Sequence, residues 1–351
     1  MSLLEGVKVL ELSSDAGVSA CGRVLAGWKA KVLKIEIPQE GDRYDRRPDL
    51  SREVLDECKE SVSIDLKTGE GQSAFYRLLE ETDVFLTGFT CSTSEWTVPD
   101  YEYLSSRYPR LIYASLSAYG SKGKLSGTKG TGAVSFWARS GFSGFFGEPD
   151  APPVSTMPGM DAMVTGTFLA NGIVAALIGR NQTNRGEKVE ISMYHSAIWA
   201  AGHYNATSNY WENPKKTRKK PDAPLINSFN ARDGKWFYTA IMEHERHWPL
   251  LCECIDRPEL ADDERYSIFR NAAAATSDLT ALLDEAFAKK DREEWLKLFK
   301  EKDIPAGAIF NASEVLNDVQ AVENGYIEGI SDKDGLRVYF PAPPTHFTEG
   351  E

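Results

Sequence analysis

Asp161 stands at the start of a long apolar stretch, directly after the turn-forming run Met157-Pro158-Gly159-Met160. An aspartate in this place has two interpretations. It can cap a helix, because its side-chain oxygens accept hydrogen bonds from the first backbone amides of that helix. The helix dipole and apolar surroundings can also hold the carboxylate ionised and partly desolvated, which suits an oxygen nucleophile that attacks an activated acyl group.

Two other catalytic patterns are incomplete in this sequence. Residues 13–22, which follow the first predicted strand, lack the G-x-G-x-x-G of dinucleotide-binding proteins. Ser140 lies in Ala138-Arg139-Ser140-Gly141 and lacks the first glycine of the G-x-S-x-G elbow. The sequence therefore argues against an NAD-dependent enzyme and against a serine hydrolase.

Two histidines and two cysteines lie close together at His244, His247, Cys252 and Cys254. Their spacing differs from the H-E-x-x-H pattern, which places two imidazoles and a general base on one helical face. We interpret the histidines as a solvent-facing pair near the start of a helix, and we predict no metal site.

The chain has 351 residues, with 40 Lys and Arg against 52 Asp and Glu, which gives a net charge of −12. A protein of this charge repels polyphosphate backbones and anionic membranes, so neither nucleic acid nor membrane is an expected partner. One basic run, residues 215–220, is interpreted as a solvated linker, with a handle for a phosphorylated ligand as the alternative.

Segments for targeting or membrane insertion are not apparent in the sequence. The first 11 residues carry Glu5 and Glu11 rather than a basic leader, and the apolar runs are shorter than the roughly 18 residues that span a bilayer. The five cysteines are odd in number and scattered, which does not fit a disulfide framework. The sequence therefore predicts a cytoplasmic protein with reduced thiols.

Short apolar runs alternate with amphipathic segments along the first part of the chain. Strands are predicted at 7–12, 31–36, 62–66, 83–86, 110–116 and 188–192, with helices at 19–28, 69–81, 161–180 and 194–210. Strands separated by helices pair in parallel through right-handed crossovers, so the pattern predicts an α/β fold with a Rossmann-like, doubly wound sheet. A Gly-, Ser- and Pro-rich stretch, residues 122–158, is predicted to be a long irregular connection.

The polar, proline-containing segment 211–224 is predicted to link two domains. Residues 1–210 are assigned to a large domain. Residues 225–310 are assigned to a smaller α+β domain, with a hairpin around the turn dipeptide Asp233-Gly234 and three helices. Residues 311–351 are predicted to return toward the large domain.

Long runs of the chain resemble the family III CoA-transferases, typified by formyl-CoA and carnitine CoA-transferases. The most diagnostic run is Gly159-Met-Asp161-Ala-Met-Val-Thr165-Gly166. Matching runs cover nearly the whole chain: 4–13, 30–36, 41–42, 63–71, 83–89, 109–115, 119–120 and 180–192. Within the family, residues 136–141, 197–201, 216–224 and 257–265 resemble the branch that activates 2-hydroxy acids in amino-acid fermentation.

The resemblance implies a two-domain fold, an interlocked homodimer, and substrates that are an acyl-CoA and a carboxylic acid. It implies that coenzyme A enters as a substrate thioester and that no cofactor is tightly bound. Asp161 would be the nucleophile, passing through an anhydride and an enzyme-bound CoA thioester. The CoA nucleotide would be held by the backbone near Val18 and Ser19, together with Ile64, Lys67 and Phe89.

Several positions depart from the family pattern. The chain has Glu60 where relatives carry a basic residue, Gly88 where they commonly carry Asn, and Thr90-Cys-Ser-Thr93 where they carry Arg-Pro-Gly. Gly132 and Ala133 replace a tyrosine–aspartate pair. Relatives also continue with a further closing segment beyond the position of Glu351.

Two other functions stay open at this point. One is a catalytically silent relative that binds CoA esters or pairs with an active subunit. The other is an acyl-CoA epimerase, which is disfavoured because no histidine lies between Met1 and Tyr194 for a two-base proton transfer. The aromatic residues Phe136, Trp137, Phe142, Phe145 and Phe146 fit an acyl pocket or a core equally well; a pocket would favour 2-hydroxy acids with branched aliphatic or aromatic side chains.

Overall fold

The computed structural model describes residues 3–38, 54–88, 97–154, 156–210, 215–331, 337–345 and 347. The internal contacts of the chain divide it into two compact units. Unit 1 comprises residues 1–145, 154–213 and 325–351, and unit 2 comprises residues 146–153 and 214–324.

Unit 1 is built on a parallel sheet. Its described strands are β1 (Lys8–Leu12), β2 (Lys31–Glu36), β3 (Glu60–Ser63), β4 (Val84–Gly88), β5 (Ile112–Ser117) and β6 (Lys188–Ser192). They lie in the order β3-β2-β1-β4-β5-β6, and each neighbouring pair is parallel. The order reverses between β1 and β4, so this architecture confirms the predicted doubly wound α/β fold.

Helices cover both faces of this sheet. Those described in unit 1 are α1 (Ala16–Gly27), α2 (Gly69–Leu79), α3 (Tyr101–Arg107), α4 (Phe142–Phe145), α5 (Met160–Thr183), α6 (Met193–Ala200) and α7 (Gly202–Thr207), with a π-helical segment at Gly132–Ala138. Alternate strand residues face opposite layers, as the pleat of a strand requires. Val84 and Leu86 of β4 pack in one hydrophobic cluster, whereas Phe85 packs in the other.

The helix α5 is central to unit 1. It has 24 residues, and an 18-residue window within it has a mean hydropathy of 1.7, so by length and composition alone it could cross a bilayer. In the structure, Leu169 and Ile173 are buried in the cluster that also contains residues of α1. A Cβ on Gly166 would lie 2.6 Å from the carbonyl oxygen of Gly17, so the glycine permits close contact between the two helices. The helix α5 therefore packs as a core helix.

Unit 2 is a small α+β unit. Its strands β7 (Ile226–Asn230), β8 (Trp236–Ala240) and β9 (Ala306–Ala308) form an antiparallel sheet in that order. Its helices are α8 (His244–Cys254), α9 (Phe269–Ala274), α10 (Thr276–Phe287), α11 (Arg292–Glu301), α12 (Ala312–Leu316) and α13 (Val319–Glu323), with a 3-10 segment at Pro258–Asp262. Trp248, Phe287 and Trp295 are buried in its core. The predicted hairpin around Asp233-Gly234 is confirmed by the pairing of β7 with β8.

The last described strands belong to unit 1. They are β10 (Ile327–Ser331) and β11 (Arg337–Pro341), which pair antiparallel. Glu328 of β10 accepts a hydrogen bond from Arg23 of α1 at 2.9 Å, and the Arg23 guanidinium lies 5.5 Å from the centre of the Phe340 ring. These contacts attach the hairpin to α1.

Four local predictions are wrong. The strand predicted at 62–66 lies at Glu60–Ser63, because β3 pairs with β2 only there, while Ile64 is buried outside the ladder. The helix predicted at 194–210 is divided into α6 and α7, and the glycine that begins α7 weakens a continuous helix. The stretch 122–147, predicted as irregular, contains the π-helical segment and α4.

The predicted solvent-facing histidines are buried: His244 Nε2 lies 2.7 Å from the carbonyl oxygen of Tyr266, and His247 Nδ1 lies 3.0 Å from that of Glu243.

Candidate active site

Two helices begin at the carboxyl edge of the parallel sheet, beside the point where the strand order reverses. Asp15 follows β1 and is the N-cap of α1, and Asp161 lies in the first turn of α5. Ligands of doubly wound α/β proteins bind outside the carboxyl ends of the strands at this switch point. The sheet therefore brings two carboxyl groups to the place where a substrate is expected.

Asp161 is the second residue of α5 and is not its N-cap. The N-cap is Gly159, whose φ of 84° lies in the left-handed region and whose lack of a side chain leaves no capping hydrogen bond. The backbone amides of Asp161 and Ala162 instead interact with this carboxylate and lower its pKa. The N-cap interpretation is therefore wrong, although the carboxylate does lie at the positive end of the helix dipole.

Gly132, the first residue of the π-helical segment, lies directly against this carboxylate. A Cβ on Gly132 would lie 1.6 Å from Oδ2 of Asp161 and 2.3 Å from its Cγ. Any side chain at position 132 would thus displace the Asp161 carboxylate. π-Helical turns are rare and frequently occur at functional sites.

Burial is the largest cause of the pKa shift of both carboxyl groups. Burial raises the pKa of Asp161 above its usual value, and the two amide hydrogen bonds partly oppose this effect. Burial also raises the pKa of Asp15, the amides of Gly17 and Val18 lower it, and the charge of Asp161 raises it further. Among the described residues, no Lys or Arg contributes to either pKa. The two carboxyl groups therefore share a site without a neutralising cation.

The residues implied for CoA binding lie around the same edge of the sheet. Val18 is fully buried in the core, and the Ser19 hydroxyl donates to Oε1 of Glu11 at 2.9 Å. Ile64 is buried, while Lys67 is half-buried and its backbone amide donates to Asp65 Oδ1 at 3.0 Å. Phe89 lies outside the described residues, as do Thr90-Thr93. Contacts to a nucleotide from Val18 and Ser19 would thus have to come from their backbone, as the resemblance implies.

The aromatic stretch after Gly132 is mostly core. Phe136, Trp137 and Phe142 are buried in the same hydrophobic cluster as α1 and α5, and Phe145 packs against that cluster. Phe146 is 50% exposed. The buried rings favour the core interpretation over an acyl pocket, so they give no basis for choosing a substrate.

Sequence reasoning missed Asp15 and Gly132. Asp15 lies in Ser13-Ser14-Asp15 at the end of a predicted strand, which is a recognisable capping position, but that position does not predict a neighbour 146 residues later. Gly132 was visible only as a departure from the family pattern. No group of three or more potential metal ligands occurs in the part of the chain that the structure describes.

Comparisons with known proteins identify the family of the chain. The model of CoA-transferase family III matches residues 4–351. An (R)-2-hydroxy-4-methylpentanoate CoA-transferase from Clostridioides difficile is 32% identical over 338 residues, which cover 93% of this chain and 84% of that protein. A cinnamoyl-CoA:phenyllactate CoA-transferase from Clostridium sporogenes is 27% identical over 363 residues, which cover 99% of this chain and 88% of that protein.

A solved structure shows the same fold. A CAIB/BAIF family protein from Brucella suis superposes with a TM-score of 0.88 at 24% identity, covering 99% of this chain and 93% of that chain. The fold, the family match along the chain and the enzymes at 27–32% identity agree. The chain therefore belongs to CoA-transferase family III, and it is an enzyme of the class that transfers CoA between acids.

Proposed function

We propose that this enzyme transfers CoA from an acyl-CoA donor to a 2-hydroxy acid, with Asp161 as the group that is acylated. The observation that carries the proposal is the Asp161 carboxylate itself, which lies in the first turn of α5 and forms no ion pair among the described residues. A carboxylate in this state keeps its lone pairs available for a carbonyl carbon.

The reaction then proceeds in steps that conserve the activated acyl bond. An oxygen of Asp161 attacks the thioester carbon of the donor, the carbon–sulfur bond breaks, and CoA leaves as a thiolate. The thiolate attacks the aspartyl side of the anhydride, which releases the donor acid and leaves CoA on Asp161 as a thioester. The acceptor carboxylate attacks this thioester, and the returning thiolate takes the acceptor acyl group. No step needs ATP, because each intermediate is as activated as the substrate.

The choice of a 2-hydroxy acid is supported by relatives. The names of the Clostridioides difficile and Clostridium sporogenes proteins specify 2-hydroxy-4-methylpentanoate and phenyllactate, which are 2-hydroxy acids with a branched aliphatic and an aromatic side chain. A relative from Chloroflexus aurantiacus, 29% identical, is named for D-citramalate, a dicarboxylic acid. A screen of these three acids against one acyl-CoA donor, read by mass spectrometry of the CoA products, tests the preference for a monocarboxylic 2-hydroxy acid.

Asp161→Asn tests the mechanism. Asparagine keeps an oxygen that can accept the two amide hydrogen bonds but cannot form the anhydride, so we expect transfer to fall by at least 1000-fold while the melting temperature changes little. Asp100→Asn is the matched control, because Asp100 is also an aspartate at a helix start in unit 1, where it caps α3. Incubation of wild type with acyl-CoA and hydroxylamine is expected to leave a hydroxamate on the peptide that contains Asp161. Full activity of Asp161→Asn, or a label on Asp15 instead, would overturn this assignment.

The proposal includes a homodimer, as the family resemblance implies. Unit 1 leaves large apolar side chains exposed on α5 and α6: Met163 is 41% exposed, Ile178 59% and Trp199 72%. Such side chains on a single chain are consistent with a partner surface. Sedimentation at micromolar concentration is expected to give a mass near twice that of the chain, and a monomer would contradict the proposal.

A further inference from the structure

The stretch of chain around β5 differs in charge from the rest of the protein. Residues 103–147 contain no Asp or Glu, although the whole chain has 52 of them and a net charge of −12. The strand β5 ends at Ser117, and the cationic residues that follow it within this stretch are Lys122, Lys124, Lys129 and Arg139. A local excess of positive charge therefore follows the carboxyl end of β5.

The loop of residues 118–130 leaves β5 at the carboxyl edge of the sheet and returns to its own starting point. A Cβ on Gly130 would lie 2.8 Å from the Cβ of Ala118 and 3.2 Å from Cε2 of Tyr119, so the two ends of the loop meet. Two residues later, Gly132 lies directly against the Asp161 carboxylate. The base of this loop is therefore close to the candidate nucleophile.

Hydrogen bonds within the loop fix the backbone that carries two of the lysines. The Ser126 hydroxyl donates to the carbonyl oxygen of Ser121 at 2.9 Å, and the Ser126 amide donates to the carbonyl oxygen of Gly123 at 3.1 Å. Gly123 has a φ of 83°, in the left-handed region that glycine adopts without steric cost. Lys122 and Lys124 lie between the residues that these bonds join, so both emerge from an ordered turn.

The lysines of the loop have no acidic partner. Lys122, Lys124 and Lys129 are exposed, and none of them forms an ion pair with any residue that the structure describes. Elsewhere in unit 1, exposed lysines do pair: Lys8 Nζ lies 2.8 Å from Glu81, and Lys31 Nζ lies 3.5 Å from Glu60. The charges of the loop therefore remain available to an anion from solution.

A CoA ester is an anion of the kind that this loop fits. It carries a diphosphate and a 3′-phosphate, which a protein of net charge −12 repels unless a local surface has the opposite sign. Ammonium groups bind phosphates as point charges. The pantetheine arm separates the phosphates from the thioester, so phosphate-binding cations should lie near the nucleophile without touching it. Lys122 and Lys124, in the middle of a loop whose base is close to Asp161, meet this requirement.

We propose that the loop of residues 118–130 binds the phosphate groups of the CoA ester through Lys122 and Lys124. This inference rests on the proposed function, from which it takes the CoA ester as substrate. Among the residues that the family resemblance implies for the nucleotide, Lys67 is the only cation. The two lysines supply further positive charge, and they favour binding of the phosphorylated substrate over other thioesters.

The test compares wild type with the double variant Lys122→Gln/Lys124→Gln. The matched control is Lys29→Gln/Arg185→Gln, which removes the same charge from two exposed residues in the turns before β2 and β6, at the opposite edge of the sheet. Calorimetry measures the Kd of free CoA at about 0.02 M and about 0.3 M salt, which changes the range of electrostatic interactions severalfold. Kinetics measure kcat/KM for an acyl-CoA and for the acyl-pantetheine with the same acyl group, which lacks every phosphate.

At low salt, the loop variant should bind CoA about tenfold more weakly than wild type, and at high salt the difference should shrink to about threefold or less. The control variant should stay within about twofold of wild type at both salt concentrations. The loop variant should lose kcat/KM for the acyl-CoA alone and keep wild-type values for the acyl-pantetheine.

Three results would overturn this inference: an unchanged Kd in the loop variant, equal weakening in the control, or equal losses for the two thioesters. Each of them would leave the hydroxamate on Asp161 intact. Absence of that hydroxamate in a wild type that binds CoA would instead overturn the proposed mechanism and leave the role of the loop in place. A wild type that binds no CoA would overturn both.

Discussion

Two carboxyl groups of unit 1, Glu11 and Asp161, are held in opposite ways. Glu11 on β1 is fully buried, with Lys59 Nζ 2.8 Å from Oε2 and the Ser19 hydroxyl 2.9 Å from Oε1. Asp161 is held by backbone amides and interacts with Asp15, another acid. The first charge is satisfied within the fold, whereas the second is left for an incoming group.

Glu11 and Asp161 also share a feature, because the carboxylate of each lies directly beside a glycine. A Cβ on Gly22 would lie 2.1 Å from Oε2 of Glu11, and a Cβ on Gly132 would lie 1.6 Å from Oδ2 of Asp161. In both places the missing side chain of a glycine leaves space for a carboxylate. At Gly22 that carboxylate belongs to a structural ion pair, and at Gly132 it is the one that we propose is reactive.

The largest effect is expected on breaking the Glu11 pair. Lys59→Met removes the cation and leaves a buried, unpaired carboxylate, which should lower the free energy of unfolding by about 3–5 kcal/mol. Lys31→Met is the control, because Lys31 and Glu60 are 3.5 Å apart but both are 64% exposed, and such pairs contribute at most about 1 kcal/mol. Urea unfolding measures both. If the two variants lose the same free energy of unfolding, the buried Glu11 carboxylate does not depend on its ion pair with Lys59.

The next effect should be on activity and not on stability. Gly132→Ala forces the Asp161 carboxylate from its place, and a displacement of about 1 Å can reduce kcat/KM by about 100-fold. Gly144→Ala is the control, since no atom lies within 4 Å of the added Cβ in α4. Steady-state kinetics with one donor and one acceptor compares the two. Wild-type kinetics in Gly132→Ala would show that the Asp161 position does not matter for transfer.

The smallest effect is a pH dependence of stability. Because the pKa of Asp161 is raised in the folded protein, its carboxyl binds a proton more tightly there than in the unfolded chain, whose value is near 3.8. The free energy of unfolding therefore loses this contribution as the pH rises from about 3.8 through the folded value. Asn does not titrate, so Asp161→Asn should gain stability relative to wild type between pH 4 and pH 7.

Urea titrations at both pH values measure this gain. Glu11→Gln is the contrasting variant: it loses a paired charge and should be less stable than wild type at pH 7. If the stability of Asp161→Asn relative to wild type is the same at both pH values, burial does not raise the proton affinity of Asp161.

The sequence alone was sufficient for the parallel sheet and for Asp161. The apolar runs of β1, β2 and β6 alternate with helical patterns, and a strand–helix–strand repeat has one common outcome, a parallel sheet with right-handed crossovers. Asp161 was found because a carboxylate before an apolar helix is a local feature. A local signal of this kind depends only on residues within a few positions in the chain, so it can be read from the sequence.

The sequence-based predictions were wrong or undecided where the outcome depends on whether a side chain is buried. His244 and His247 are polar and lie at the start of a helix, yet both are buried, because backbone carbonyls of Tyr266 and Glu243 satisfy a ring nitrogen of each. The rings of Phe136 and Trp137 fitted a pocket or a core equally well in the sequence, and packing in unit 1 makes them core. Whether a side chain is buried depends on elements that are distant in the chain.

What the sequence determined by itself was therefore the α/β class, the family and one candidate nucleophile. Only the tertiary structure decided which residues lie around that candidate nucleophile: Asp15, which follows β1, and Gly132 at the start of a π-helical segment. Asp15 and Asp161 are 146 residues apart and meet because α1 and α5 begin at the same edge of the sheet and pack through Gly166. Helix packing sets that distance, and it also raises the pKa of each acid by removing water from both.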